Sequence, residues 1–327
     1  MGNGADKIFS QLEKQNVKPF GVMASDDFVR GQLFHGYKVQ KLSDFAQQIS
    51  DFIILTSFGT QRANVIDNII NISRQYTLLS PDVPVYGETL FDRHFFAAHQ
   101  KELQTVEDLL ADDLSRKTFD NVVNFKLSGN IHYLTDVFSE KEEVFDHILQ
   151  LGNHETYLDL GAYRGDTIEE FLRHTNGNYN SITALEPDQK TFLKLKDYAK
   201  EMKNITLFQM GIWNEDTDLY FDASLGRGSS IKKDGCQPLA VTKIDTLFKR
   251  RTLTYLKLDV EGAEHMALLG GKNVIQRDKP KINIAAYHRS EDLFDLPLLI
   301  KSLHPDYQLY LRQHPHIPAW DLNFYCI

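Results

Sequence analysis

The sequence predicts an α/β fold. A doubly wound parallel sheet with a C-terminal antiparallel hairpin fills residues 151–327, and a smaller α/β unit precedes it over 1–150. Three observations carry this reading. Short apolar runs at 156–160, 181–185, 205–210, 253–258 and 281–287 are mostly separated by stretches with helical spacing, the alternation of a parallel sheet wound with helices. The last two runs, DYQLYLRQ and DLNFYCI, are joined by HPHIPAW, which leaves no room for a crossover helix, so they must be antiparallel neighbours. A turn with two glycines, GAYRG, follows the first run directly.

Length and composition set the frame. At 327 residues the chain has room for two domains of roughly 150 residues each. Its 42% hydrophobic and 25% charged residues are those of a soluble globular chain. No apolar run reaches the ~18 residues of a membrane span. The start, MGNGADKIFSQLEK, lacks the apolar core of a signal peptide, and Asp6 stands where a myristoylation motif places Ser or Thr. Two cysteines, Cys236 and Cys326, suit a reducing compartment. A net charge of −9 argues against nucleic acid held through its phosphates. A cytoplasmic location is expected, and a homo-oligomer stays open.

Within 1–150, PFGVMAS and DFIILTSFG read as buried parallel strands. The stretch TQRANVIDNIINISRQY has helical spacing, LLSPDVPVYGETLF is a loop, and 105–129 is one helix or a pair stopped by Gly129. Neither strand is followed by a glycine cluster that could cradle a phosphate. This unit is therefore expected to present an acceptor rather than bind a dinucleotide, with Ser25, Asp26, Ser57 and Thr60 as polar candidates that equally serve as caps.

The second unit begins with YLDLGAYRGDTIEEF. Asp159 closes the first strand, Gly161 and Gly165 permit a sharp turn and close approach of a ligand, and a helix over 166–175 points its free N–H groups into the same crevice. The next strand ends in Glu186, whose carboxylate can accept both hydroxyls of a ribose. A dinucleotide site prefers G-x-G-x-x-G, whereas here the order is D-x-G-x-x-x-G with Tyr163 in place of a second close glycine. An acid at the turn suits a cationic ligand better than a pyrophosphate. S-adenosylmethionine carries an ammonium, a sulfonium and a ribose but no phosphate. The closing hairpin also favours a methyltransferase sheet over a dehydrogenase sheet.

With DLGAYRGDT, LEPD, GIWNEDTDLYF, KLDVEGAE, KPKINIAAYHRSEDLFDLP and YQLYLRQH, residues 155–327 resemble the FkbM family of S-adenosylmethionine-dependent methyltransferases. The resemblance implies a class I, Rossmann-like methyltransferase fold, with S-adenosylhomocysteine as the product left by the cofactor. It also implies O-methylation of a sugar, polysaccharide precursor or natural-product hydroxyl. Tyr163 stands where that family often has Asn. More loosely, LADDLSRKTFDNVVNFKLSGNIHYL resembles the half-Rossmann segment that precedes the domain in some members.

Each candidate residue has a chemical reason. Asp159 suits the cofactor's ammonium and the ordering of the turn; Glu186 suits the ribose. Gly211, Ile212 and Trp213 follow the third strand, where adenine is contacted in this fold, and an aromatic ring there covers a base or simply joins the core. Removing a hydroxyl proton calls for a base, and His288, after the fifth strand, titrates near neutrality. Asp259, ending the fourth strand, orients the acceptor or is itself the base. Glu261 is an acceptor-side candidate, although acids such as Glu261 and Glu264 are favoured at a helix N-terminus anyway; His265 shares that ambiguity. Asp259, Glu261 and His288 are valid metal ligands, but their spacing is not diagnostic and no metal is assigned. The polar stretch 222–235 reads as a lid or acceptor loop, with Arg227 and Ser229 towards the substrate. His314 and His316 read as a surface turn. Two other functions stay open: a non-catalytic cofactor-binding scaffold, and a nicotinamide-dependent oxidoreductase, which the first motif disfavours.

Overall fold

The computed structural model describes residues 3–25, 28–222, 230–232 and 237–327. The N-terminal region opens with the amphipathic helix α1 (Asn3–Lys14), which buries Ala5 and Ile8. Strands β1 (Val22–Ala24), β2 (Leu33–Phe34) and β3 (Tyr37–Lys41) form a small sheet with β3 in the middle, parallel to β1 and antiparallel to β2. After α2 (Leu42–Gln48), strands β4 (Ile53–Leu55) and β5 (Thr77–Leu79) pair in parallel, with α3 (Ala63–Ser73) as their crossover. The two apolar runs read as buried parallel strands thus lie in different sheets. They are also less covered than their composition suggests, since Ile53 is 62% exposed.

Five helices lead to the main sheet: α4 (Arg93–Ala98), α5 (Gln100–Leu109), α6 (Asp113–Ser128), α7 (His132–Thr135) and α8 (Lys141–Val144). The stretch 105–129 contains parts of two helices, and α6 stops at Gly129, whose φ of 70° is left-handed. Strands β6 (Thr156–Leu160), β7 (Ser181–Leu185) and β8 (Ile205–Phe208) then alternate with α9 (Asp166–His174) and α10 (Gln189–Tyr198).

A second sheet comes next, and the apolar pattern did not announce it. It comprises β9 (Gly211–Ile212), β10 (Thr217–Asp222), β11 (Ser230–Lys232) and β12 (Gln237–Thr242), in the order β11-β10-β12-β9. The stretch read as a lid therefore includes a paired strand, β11. Residues 223–229, with Arg227 and Ser229, lie outside the described residues, as do Asp26 and Cys236. After α11 (Ile244–Leu247) the chain returns to the main sheet. It continues through β13 (Tyr255–Leu258), α12 (Glu264–Gly270), α13 (Lys272–Asp278), β14 (Lys281–Ala285), α14 (Asp292–Leu303), β15 (Leu309–Gln313) and β16 (Leu322–Cys326).

The main sheet runs β15-β16-β14-β13-β6-β7-β8. Its five inner and right-hand strands are parallel, while β16 is antiparallel to both β14 and β15. Strand order reverses at β6, which has β7 on one side and β13 on the other. In open α/β sheets ligands bind at such a reversal, beyond the carboxyl ends of the strands. Among the described residues, no helix is long and apolar enough to cross a membrane.

The connector helices share the main core: Phe119, Val122 and Phe125 of α6 belong to the same buried cluster as Leu309 and Leu311 of β15. Polar contacts fix the docking. Asp112 caps α6 by accepting from Ser115 N (2.7 Å), and its two oxygens accept from Arg312 at 3.2 and 2.6 Å. The Ser115 hydroxyl accepts from Leu311 N (3.0 Å) and Arg312 Nη1 (2.8 Å). Burial works against the Asp112 carboxylate, but the hydrogen bonds from Arg312 and Ser115 hold it below the ordinary aspartate range. Its contribution to stability is therefore complete above that ordinary range and is lost as pH falls through the lowered value. Asp112→Ala removes the cap and strands a buried guanidinium, so it should cost about 2–3 kcal/mol at pH 7. Urea unfolding should show this loss shrinking in acid. An unchanged midpoint would mean that α6 is not held to β15 in this way.

Candidate active site

The strand reversal brings the ends of β6 and β13 side by side, where this topology places a ligand crevice. Gly161 has φ +81°, and a Cβ there would stand 1.9 Å from the Asp259 carbonyl oxygen. Gly165 has φ +96°, and its Cβ would meet the Tyr198 ring at 2.4 Å. Both glycines are required by the turn and by neighbouring chain. The space a side chain would take at the two glycines is filled by the Asp259 carbonyl and the Tyr198 ring.

Glu186 is anchored under the turn. Tyr163 N donates to one of its oxygens (3.0 Å) and Asp188 N to the other (2.8 Å), and Tyr163 itself takes a left-handed φ of 46°. Burial pushes the Glu186 carboxyl up to about 7 in spite of these bonds. Asp159 is 0% exposed. Its Oδ2 accepts from the Thr167 hydroxyl (2.5 Å), and its Oδ1 has no hydrogen-bond partner among the described residues, with the Lys257 ammonium 3.8 Å away. Burial raises the Asp159 carboxyl, with Lys257 and Thr167 opposing.

Lys257 is a residue that sequence reasoning missed, because it sits inside an apolar strand. Its ammonium is buried between Asp159 (3.8 Å) and Asp259 (3.7 Å). Burial disfavours its charge, but the two carboxylates outweigh burial and raise its pKa. Asp259 is pulled the other way: burial raises its carboxyl, and Lys257, His288 and the Tyr287 hydroxyl (3.2 Å) bring it below the ordinary range.

On this side of the crevice, Asp259 and Glu261 are half-buried, at 36% and 39% side-chain exposure, and His288 is 0% exposed. His288 Nε2 lies 3.4 Å from Asp259 Oδ1 and 3.6 Å from Glu261 Oε2; Nδ1 lies 2.9 Å from Glu264 Oε1. The same Glu264 oxygen accepts from Val260 N (2.8 Å). The helix N-terminus gave Glu264 a structural explanation, yet its side chain turns in and holds the imidazole. Burial works against a charged ring, but Glu264 first, then Glu261 and Asp259, raise the His288 pKa to about 10. Buried Asp292 adjoins this pair, its carboxyl pushed up by burial and by Glu264. His265, by contrast, pairs with Asp295.

The N-terminal half reaches this site. Tyr86 N donates to the His288 carbonyl (2.8 Å), and the Tyr86 ring fills the space in front of Gly262, where a Cβ would be 2.7 Å away. The Arg289 guanidinium lies 4.3 Å over the same ring. Thr60 exchanges backbone hydrogen bonds with Ile317 (2.9 and 3.0 Å); Ser25 is exposed and Ser57 half-buried. The hairpin loop is no surface turn at His314. That ring is 1% exposed, and its nitrogens bond the Ser139 carbonyl (2.7 Å) and the Tyr325 hydroxyl (2.6 Å).

Gly211, Ile212 and Trp213 serve the second sheet. Gly211 and Ile212 pair with Val241 and Thr242, Ile212 lies in the main core, and Trp213 packs against Leu239 and Val241. Gln209, exposed directly after β8, stands nearer in the chain to the strand end that Glu186 N contacts through the Phe208 carbonyl (3.1 Å).

If Glu264 holds the imidazole proton, Glu264→Gln should move the His288 titration from about 10 towards or below neutrality, followed by nitrogen-15 NMR of the ring. An unmoved titration would assign the proton to other neighbours.

Comparison with known proteins bears on this arrangement. Residues 159–320 match the methyltransferase FkbM domain family. The structure resembles methyltransferase FkbM from Methylobacillus flagellatus KT, with a TM-score of 0.74 and 23% identity over 95% of this chain and 84% of that one. An rRNA methylase from Streptococcus thermophilus matches with a TM-score of 0.38 and 14% identity, over 57% of this chain and 95% of that one. Aeropyrum pernix fibrillarin, in complex with S-adenosyl-L-methionine, matches with a TM-score of 0.34 and 14% identity, over 54% of this chain and 69% of that one. No curated protein matches the chain. Residues 159–320 thus belong to the methyltransferase FkbM domain family.

Proposed function

We propose that the protein transfers a methyl group from S-adenosylmethionine to a hydroxyl oxygen of a sugar, polysaccharide precursor or natural product. One observation carries the reading: buried and half-buried carboxylates from both halves of the sheet gather at the strand reversal. Asp159 and Glu186 lie on the β6–β7 side, and Asp259 and Glu261 lie on the β13 side. This donor set fits a cationic, phosphate-free ligand. The orphaned Asp159 Oδ1 suits an ammonium, directly or through water, and the anchored Glu186 suits a ribose. Gln209, exposed directly after β8, is a candidate contact for the adenine. Bound there, S-adenosylmethionine supplies an electrophilic methyl group on a positively charged sulfur.

The acceptor half does the remaining work. Asp259 and Glu261 are the half-exposed carboxylates that can accept hydrogen bonds from acceptor hydroxyls and orient one of them at near-attack distance. His288 Nε2 takes the hydroxyl proton only in rings that have shed their own, so this chemistry favours alkaline pH. The 81–90 segment supports a presenting role for the N-terminal unit, since Tyr86 and Thr89 meet His288 and Ser290.

Calorimetry with S-adenosylhomocysteine tests the donor side. Glu186→Ala and Asp159→Asn should each weaken binding by about tenfold or more, a loss of ~1.4 kcal/mol. Asp259→Asn should leave that affinity within a few-fold and lower methyl-ether formation by about 10²–10⁴-fold on an accepted sugar. Unchanged affinity in the Glu186 and Asp159 double variant would remove the donor from this crevice. Tight binding with no methylated product across a panel of nucleotide sugars and glycosides would favour a cofactor-binding scaffold.

A further inference from the structure

We infer that Asp259 and His288 are the core of a binding site for a divalent cation, with Glu261 beside Nε2 and Glu264 as the residue that positions the imidazole. The inference rests on the proposed reading of this crevice and deepens it, because the ion would sit on the acceptor side.

Two independent features point to a ligand. The first is spacing. His288 Nε2 lies 3.4 Å from Asp259 Oδ1 and 3.6 Å from Glu261 Oε2. Donors that bind one ion through bonds of about 2.1 Å stand roughly 3 Å apart at right angles and roughly 3.5 Å apart at tetrahedral angles. The second is an orphaned group: His288 is 0% exposed, and its Nε2 has no hydrogen-bond partner among the described residues, although it points between two half-exposed carboxylates. Asp259, Glu264 and His288 also offer donor atoms that all lie within 4.8 Å of one another.

Glu264 completes the pattern. Buried at 2.9 Å from Nδ1 and tied to Val260 N, it fixes which nitrogen faces the crevice. A carboxylate behind a histidine is the arrangement that orients metal-bound imidazoles, and its loss typically costs 10–100-fold in affinity. Carboxylates face both nitrogens of the one imidazole, and Asp259 shares Lys257. One nitrogen among oxygens suits a cation of the magnesium or manganese type, with the single imidazole tilting the choice to manganese. The ion and the ring proton compete for Nε2. Ion binding would release the Nε2 proton and hold the ring neutral, and an acceptor hydroxyl on the ion would be acidified there, so that no free imidazole is needed as its base.

The probe is Mn²⁺, titrated into the full chain after chelator treatment and followed by electron paramagnetic resonance of the free ion, with S-adenosylhomocysteine affinity measured in parallel. The inference expects saturable Mn²⁺ binding that Mg²⁺ displaces at higher concentration. Asp259→Asn and His288→Asn should each weaken it at least tenfold, and Glu264→Gln by about 10–100-fold, while all three keep S-adenosylhomocysteine affinity within a few-fold. That retained affinity shows that the variants are folded, and Asp259, half-exposed, gives the test a second variant if His288→Asn does not fold. No Mn²⁺ binding up to millimolar concentration, or binding unaffected by Asp259→Asn, overturns the ion site. If S-adenosylhomocysteine still binds, the methyltransferase reading survives; if Mn²⁺ binds and S-adenosylhomocysteine does not, the donor reading fails and the ion site stands.

Discussion

The buried ammonium of Lys257 is the interaction on which the site depends. The β6–β13 ladder places Lys257 opposite Asp159, so a single parallel register brings the cation between Asp159 and Asp259. Burying an ion costs several kcal/mol unless it is compensated, and removing one partner of such a group is strongly destabilising. Here one cation serves two acids at the ends of adjacent strands, which lets both stay at the centre of the sheet. A slip of one residue would turn Lys257 to the other face and leave Asp159 without its cation. The register of the sheet and the charge balance of the crevice are thus one constraint.

From that constraint the two halves of the site follow. The chain winds outward from β6 through β7 and β8, passes through the second sheet, and returns to β13 on the other side of β6. Its crevice therefore has one wall from the outward journey, with Asp159 and Glu186, and one from the return, with Asp259, Glu261 and His288. Gly161 is the seam: its missing side chain lets the first turn pass against the Asp259 carbonyl. The N-terminal half then closes over the return wall, with Tyr86 against Gly262 and Arg289. Lys7 of α1 supports that segment by donating to the Pro84 carbonyl (2.6 Å).

Much of this was legible in the sequence, for definable reasons. The main-sheet strands are short apolar runs bounded by turn residues, and the hairpin follows from a connector too short for a helix. The acids Asp159, Glu186 and Asp259 end strands, so their placement at one edge of the sheet needs only the parallel topology. What was hidden depends on tertiary contacts. Glu264 and His288 lie 24 positions apart, and a generic preference for acids at helix starts already accounted for Glu264. Lys257 looks like an interruption in an apolar strand until its two partners are known. Gly161 looks the same whether a ligand or a carbonyl fills its space. Strands β10 and β12, TDLYFD and QPLAVT, mix polar and apolar residues, and among the described side chains Leu239 and Val241 form a small buried cluster of their own. His314 is polar in type and sits in a loop, yet two hydrogen bonds compensate its burial.

The central claim is that one carboxylate-lined crevice holds a donor on its β6–β7 wall and presents the reacting atom to its β13–β14 wall. The most direct measurement is a crystal structure of the full chain with S-adenosylhomocysteine. The account predicts ribose hydroxyls on the Glu186 carboxylate, the amino group towards Asp159, and the sulfur facing Asp259 and His288. A ligand seated over β4 and β5, or one in this crevice with its sulfur turned away from Asp259, would contradict it.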